Sequence, residues 1–315
     1  MQRVTEPGQV GSPDRDPASA PVFLVGPARS GTSLLYKILC LHPEATYISN
    51  WVARYPSHTS LASLNRLARS MPGRRRTVWF GKDSNAYVYG RRRGMGKRMF
   101  PMPVEGEPVY SSCGIPQDRE LDPSGLWEEG RALRRSVSAI CASSGGSVFV
   151  NKRIANNLRI SFLSAAFPDA RFVALVRDGR AVALSLSRVD WWADGELWWY
   201  GGTPTEWAAE GGDPWELCAR NWVRELDAME RGLDLVPADQ VLRLSYETFV
   251  DAPLETIERV AAFAGMPSDA DWRATVSELG FPDGNEGWRN ELDPEALRTI
   301  TRIQREGLEA HGYDV

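Results

Sequence analysis

The run PVFLVG at 21 to 26 leads directly into Pro27, Ala28, Arg29, Ser30, Gly31, Thr32 and Ser33, and then into an apolar-periodic stretch. A short, wholly apolar strand of this kind needs neighbours in a sheet and a covering layer on each face. The turn that follows it brings backbone N–H groups together at the positive end of a helix dipole. An anion binds well at such a point.

Three further runs have the same character: SVFV at 147 to 150, RFVALV at 171 to 176 and QVLRLS at 240 to 245. Helical patterns cover roughly 31 to 41, 125 to 142, 156 to 167, 179 to 189, 214 to 231, 252 to 264 and 293 to 310, most of them ended by Pro or Gly. Buried strands alternating with helices predict a three-layer α/β fold with a central parallel sheet. Residues 1 to 20 read as a flexible leader, because they contain almost nothing to bury. Residues 21 to 315 read as a single domain, interrupted at about 50 to 146 by an insertion of mixed structure.

The chain has 315 residues and a formal net charge of −4, but eleven basic residues and one acid lie between Arg66 and Arg98. The acidic remainder argues against a general nucleic-acid binder. Three readings of the basic segment stand: it attracts an anionic acceptor, docks on an acidic carrier or membrane surface, or is a solvated loop. No run is long and apolar enough to span a membrane, and residues 1 to 20 lack the apolar core of a signal peptide, so a cytoplasmic location is expected. Cys40, Cys113, Cys141 and Cys218 form no CxxC pair and the chain has three His, which predicts free thiols and no metal site.

Gly26 and Gly31 have the GxxxxG spacing of a nucleoside-triphosphate loop, but Thr32 stands where that loop carries its Lys. The nearby cation is Arg29. The strand at 171 to 176 ends at Arg177, and Ser185 follows eight residues later. Residues just beyond the carboxyl ends of parallel strands line one crevice, so Arg177 and the Arg29 loop are expected to face each other.

GPARSGTSLLYKIL, FVNKRIANNLRISFLSAAFPDARFVALVRDGRAVALSLSR, LRLSYETFVDAPLETIERVAAFAGMP and EGWRNEL, in this order, resemble the sulfotransferases that use 3′-phosphoadenosine 5′-phosphosulfate (PAPS). The likeness covers roughly 21 to 49 and 147 to 311. It implies a P-loop-like phosphosulfate-binding loop in which Arg29, Ser30, Gly31, Thr32 and Ser33 hold the 5′-phosphate and sulfuryl oxygens. It also implies that Arg177 and Ser185 hold the 3′-phosphate, that Tyr246 lies near the adenine, and that Lys152 approaches the transferred group. Trp288 and Arg289 match the C-terminal nucleotide loop, whereas Phe281, Pro282 and Asp283 supply none of the cations that loop carries elsewhere.

Two further positions depart from the pattern. Ile154 stands where cytosolic members have a catalytic His, and Ser49 and Asn50 stand where Golgi-type members have a carboxylate. The general base therefore falls to the insertion, among His58, Asp83, Glu105, Glu107, Asp118 and Glu120, and His58 is the favoured choice because its pKa suits neutral pH. Seven of the twelve Trp lie between Trp191 and Trp222. Of these, Trp191, Trp192, Trp198 and Trp199 are expected to line the acceptor pocket.

The sequence thus predicts a PAPS-dependent sulfotransferase, without a metal, acting on a hydroxyl of a small metabolite, sugar or phenol, such as one of secondary metabolism. Alternatives are a P-loop kinase or NTPase and a non-catalytic nucleotide-binding protein. The oligomeric state is left open.

Overall fold

The computed structural model describes residues 20–81, 99–281 and 287–315. The leader, the basic residues Lys82, Arg91, Arg92, Arg93, Lys97 and Arg98, the candidate base Asp83, and Pro282 and Asp283 lie outside the described residues. Five parallel strands form one sheet in the order β2-β3-β1-β4-β5, with β1 at Val22–Val25, β2 at Ala45–Thr46, β3 at Val148–Lys152, β4 at Arg171–Val176 and β5 at Val241–Ser245. The fold is therefore α/β, as the strand and helix periodicities predict.

The sheet divides the core in two, with a strand period of two residues. Phe23, Val25, Phe149, Phe172 and Ala174 point to one layer, formed by the helices Trp127–Ser144, Ile160–Ala166, Gly179–Leu186, Pro214–Leu233 and Pro294–Ala310. Val22, Leu24, Val148, Val150, Val173 and Leu175 point to the other, formed by Thr32–Leu39, Pro72–Phe80, Pro253–Phe263 and Ala270–Ser277. Several helices start at Asp caps that lead into Pro; Asp213 and Asp293 each accept two backbone N–H groups of the first turn.

The insertion is anchored rather than loose where it is described. Val52, Ala62, Ala68, Trp79 and Phe80 are fully buried. The arginines of the basic segment that are described close onto the fold. Arg66 donates to Ala142 O (3.2 Å) and Arg69 to Ser144 O (3.3 Å) and Ala45 O (3.2 Å), so both meet the carbonyl end of the helix Trp127–Ser144, where positive charge is favoured. Buried Arg75 donates to Leu41 O (2.8 Å), and Arg76 pairs with Glu278. Among the described residues, no helix is long and apolar enough to cross a membrane, and no cluster of His, Cys, Asp or Glu has the makings of a metal site.

Candidate active site

β1 lies at the centre of the sheet, flanked by β3 and β4, and the chain crosses from one side of it to the other between those two strands. This is the switch point at which open α/β sheets bind ligands beyond the strand carboxyl ends. Four strand ends deliver the candidate residues there: the loop 26–33 after β1, Lys152 at the end of β3, Arg177 after β4 and Tyr246 after β5.

Two glycines shape the loop. Gly26 lies so close to β4 that a Cβ would sit 2.2 Å from Leu175 O, and Asn157 brackets it with two hydrogen bonds, from Gly26 N to Oδ1 (2.9 Å) and from Nδ2 to Gly26 O (3.0 Å). Gly31 has φ +87° and abuts the Tyr246 ring, 2.5 Å from where a Cβ would be. Between them Arg29 adopts φ 67°, a left-handed conformation that costs a non-glycine residue of order 1 kcal/mol or more. The helix begins at Thr32, so the first-turn N–H groups of Thr32 and Ser33 have no intrahelical partner. Ser30 Oγ is buried and has no hydrogen-bond partner among the described residues.

Three of the remaining nucleotide candidates, Arg177, Ser185 and Tyr246, gather against this loop. Arg29 Nε donates to Ser185 Oγ (2.9 Å), and Arg177 Nη1 donates to Arg29 O (3.4 Å). The Arg177 guanidinium also lies over the Tyr246 ring at 4.4 Å. Buried Trp288 carries Arg180 at 4.3 Å and Arg289 at 4.5 Å from its ring centre, while Arg180 is held by both carboxylate oxygens of Asp178.

On the β3 side, Lys152 is almost fully buried and forms an ion pair with Glu105. Glu105 also accepts from Arg153 (2.6 Å), and Glu107 binds Arg153 (3.0 Å) and the fully buried Arg159 (2.7 Å). Burial alone would raise the Glu105 carboxyl, but the charges and hydrogen bonds of Lys152 and Arg153 outweigh it and hold the carboxyl below its ordinary range. Glu105 reaches this point because two distant segments pair: Val104 N donates to Ile48 O (3.0 Å) and Asn50 N to Met102 O (3.0 Å). Ser49 is spent on capping the helix Asn50–Arg54, and Asn50 on holding Met102.

The other candidates for the base lie elsewhere. His58 is exposed in the turn ahead of Thr59–Ser63, and its side chain makes no hydrogen bond to the site residues. Glu120 pairs with Arg231, and Asp118 is exposed. The four Trp separate. Trp192 is a core residue packed edge-on against the half-exposed Trp191, Trp198 is half-buried, and Trp199 donates from Nε1 to Asn221 Oδ1 (3.0 Å).

Sequence reasoning missed Glu225. Its Oε2 accepts from Ala28 N (2.5 Å) inside the loop and its Oε1 from Asn221 Nδ2 (3.1 Å). Burial pushes its carboxyl up to about 7, against the opposing pull of those two hydrogen bonds and of the Lys152 charge. The signal was present: Asn221 and Glu225 sit four apart, on the face of the helix Pro214–Leu233 that also buries Trp222 and Leu226.

A profile described as Sulfotransferase family matches residues 21–271. The chain therefore belongs to the sulfotransferase family, a class of group-transfer enzymes. Among solved structures it is similar to sulfotransferase STF9 from Mycobacterium avium, with 16% identity, a TM-score of 0.57 and coverage of 95% of this chain and 78% of that one. It is also similar to sulfotransferase STF1 from Mycobacterium tuberculosis H37Rv, with 15% identity, a TM-score of 0.53 and coverage of 90% and 77%. At these identities the likeness establishes the shared fold. No curated protein sequence matches.

Proposed function

We propose that this sulfotransferase takes its sulfuryl group from PAPS and passes it to a hydroxyl of a small-molecule acceptor. The observation that carries this reading is the pairing of Lys152 with a carboxylate, Glu105, across the crevice end of β3 from the glycine-shaped loop. The loop fits the 5′ end of such a donor: the Gly26 and Gly31 cradle, the free first-turn N–H groups and the orphaned Ser30 hydroxyl all suit an anion without a metal. Arg177 and Ser185 would hold the 3′-phosphate, Tyr246 would lie by the adenine, and Trp288 with Arg289 would close the far side.

When bound, the donor supplies an electrophilic sulfuryl group and a phosphate leaving group. Glu105, kept ionised by its cationic neighbours, is the base that accepts the proton of the acceptor hydroxyl. Lys152 and Arg29 stabilise negative charge on the leaving side. Glu105 replaces His58 as the favoured base because it touches the transfer lysine and His58 does not. Trp191, backed by the buried Trp192, and Trp199, held by Asn221, are the aromatic groups of this segment proposed to meet the acceptor.

The test is incubation of the full chain with radiolabelled PAPS and a panel of phenols, sugars and hydroxylated metabolites. Labelled acceptor and released 3′-phosphoadenosine 5′-phosphate (PAP) are the expected products. Magnesium-dependent turnover of ATP in place of sulfation would overturn the reading in favour of a kinase or NTPase.

A further inference from the structure

Glu225 is a carboxylate placed directly against a loop built to receive an anion. It is 6% exposed, and among the described residues no Lys or Arg forms an ion pair with it. Its hydrogen-bond partners are the neutral groups Ala28 N–H and Asn221 Nδ2–H. Ala28 directly precedes Arg29, the residue held in a left-handed conformation, so the carboxylate fixes the backbone where the loop is most strained. The charged side chains on the surrounding elements are committed elsewhere. Arg29 turns to Ser185, Arg180 to Asp178, and Lys152 to Glu105. Through space, Lys152 favours the charged form of Glu225 and Glu105 disfavours it.

A phosphate arriving in the loop brings negative charge close to this buried carboxylate and draws Arg29 and Lys152 toward itself. Both changes favour the neutral acid, and Glu225 already sits where a modest push suffices. We propose that Glu225 is a positioning residue of the donor loop that takes up one proton from solvent when the 5′-phosphate end of the nucleotide binds. The neutral acid keeps a carbonyl oxygen for Ala28 N–H, and its hydroxyl oxygen still accepts from Asn221 Nδ2, with the new O–H turned away from that donor. This inference rests on the PAPS reading of the loop.

The experiment is calorimetric titration of PAP into the full chain and into Glu225→Gln near pH 7, in buffers of low and high ionisation enthalpy. The phosphates of PAP titrate in both proteins, so the difference between the two is read. The wild type is expected to take up about half a proton more than Glu225→Gln, and its affinity relative to the variant to fall about tenfold from about pH 6 to about pH 8. Equal proton uptake and parallel pH profiles would overturn the inference while leaving the donor reading intact. Absence of PAP binding in the wild type would sink the donor reading, and the inference with it.

If Glu225→Gln does not fold, infrared difference spectroscopy of the wild type with and without PAP decides. A new carboxylic-acid carbonyl band supports the proposal, and its absence overturns it.

Discussion

Lys152 Nζ donates to Glu105 Oε1 across a sequence separation of 47 residues, joining the last residue of β3 to a segment of the insertion. Neither partner lies on an element that contacts the other through local sequence. Their meeting depends on the short antiparallel pairing of residues 48–50 with 102–104. The pair sets opposite charges side by side at the end of β3, and Asn151 and Arg153 hold Glu105 from the sheet side.

Removing the base while keeping its shape separates chemistry from binding. Glu105→Gln is expected to lower kcat for sulfuryl transfer by about 10² to 10⁴. The affinity for PAP should change little, because Glu105 does not belong to the nucleotide cluster. Steady-state rates under saturating donor, together with calorimetry, check both halves. An unchanged kcat would remove Glu105 from the role.

The nucleotide cluster is tested by truncating its two arginines. Arg29→Ala and Arg177→Ala are each expected to weaken PAP binding by about 10- to 100-fold, the worth of one charge-assisted hydrogen bond or two. If both variants bind PAP like the wild type, the assignment of this crevice to the nucleotide is wrong.

Gly31→Ala would force a methyl group into the Tyr246 ring at a backbone angle that L side chains resist. A destabilisation of about 1–3 kcal/mol is expected, read as a lower Tm. Tyr246→Ala removes a buried ring and is destabilising by itself, so the clash is read from a double-mutant cycle: part of the cost of Gly31→Ala is recovered when it is measured against Tyr246→Ala alone. No recovery would mean that the ring contact is unimportant.

Glu225 also predicts a pH dependence of stability in the absence of any ligand. Its carboxyl titrates near 7 in the folded chain and near 4.5 when unfolded. Below the lower value both states are protonated, so the buried neutral acid contributes fully. As pH rises through the window the unfolded chain releases the proton first, and the native state loses up to about 3 kcal/mol. Glu225→Gln has no such proton, so its Tm relative to wild type should climb between pH 5 and pH 8. Melting curves at those two pH values decide the point.

Arg69 separates the structural part of the basic segment from the site. Arg69→Ala removes donors to Ala45 O and Ser144 O and is expected to cost about 1–3 kcal/mol. PAP affinity should be untouched. A large loss of affinity would place this arginine in the donor site.

Much of the fold was legible because its signals are local. β1, β3, β4 and β5 and the helices Thr32–Leu39, Pro214–Leu233 and Pro294–Ala310 follow from apolar runs, Asp caps and prolines that act within a few residues. The two-residue strand Ala45–Thr46 left no such trace, since its length is set by its partner β3. The loop and Arg177 were readable from strand-to-helix junctions, which the parallel sheet brings to one edge, whereas Ser185 and Tyr246 were singled out by the family resemblance. Glu105 was one candidate among six until the pairing of Asn50 with Met102 fixed its direction. Glu225 stayed hidden because a carboxylate on an amphipathic helix ordinarily faces water, and only the approach of Ala28 gives it a reason to be buried.

The antiparallel neck between residues 48–50 and 102–104 separates where the insertion ends from what it contains. Glu105 is registered by the neck and by β3, while Val52, Ala62, Trp79 and Phe80 root the flanking part of the insertion in the two core layers. Changes on the exposed side chains of that stretch therefore leave the Glu105–Lys152 contact standing, whereas changes to its buried anchors would be felt at the end of β3.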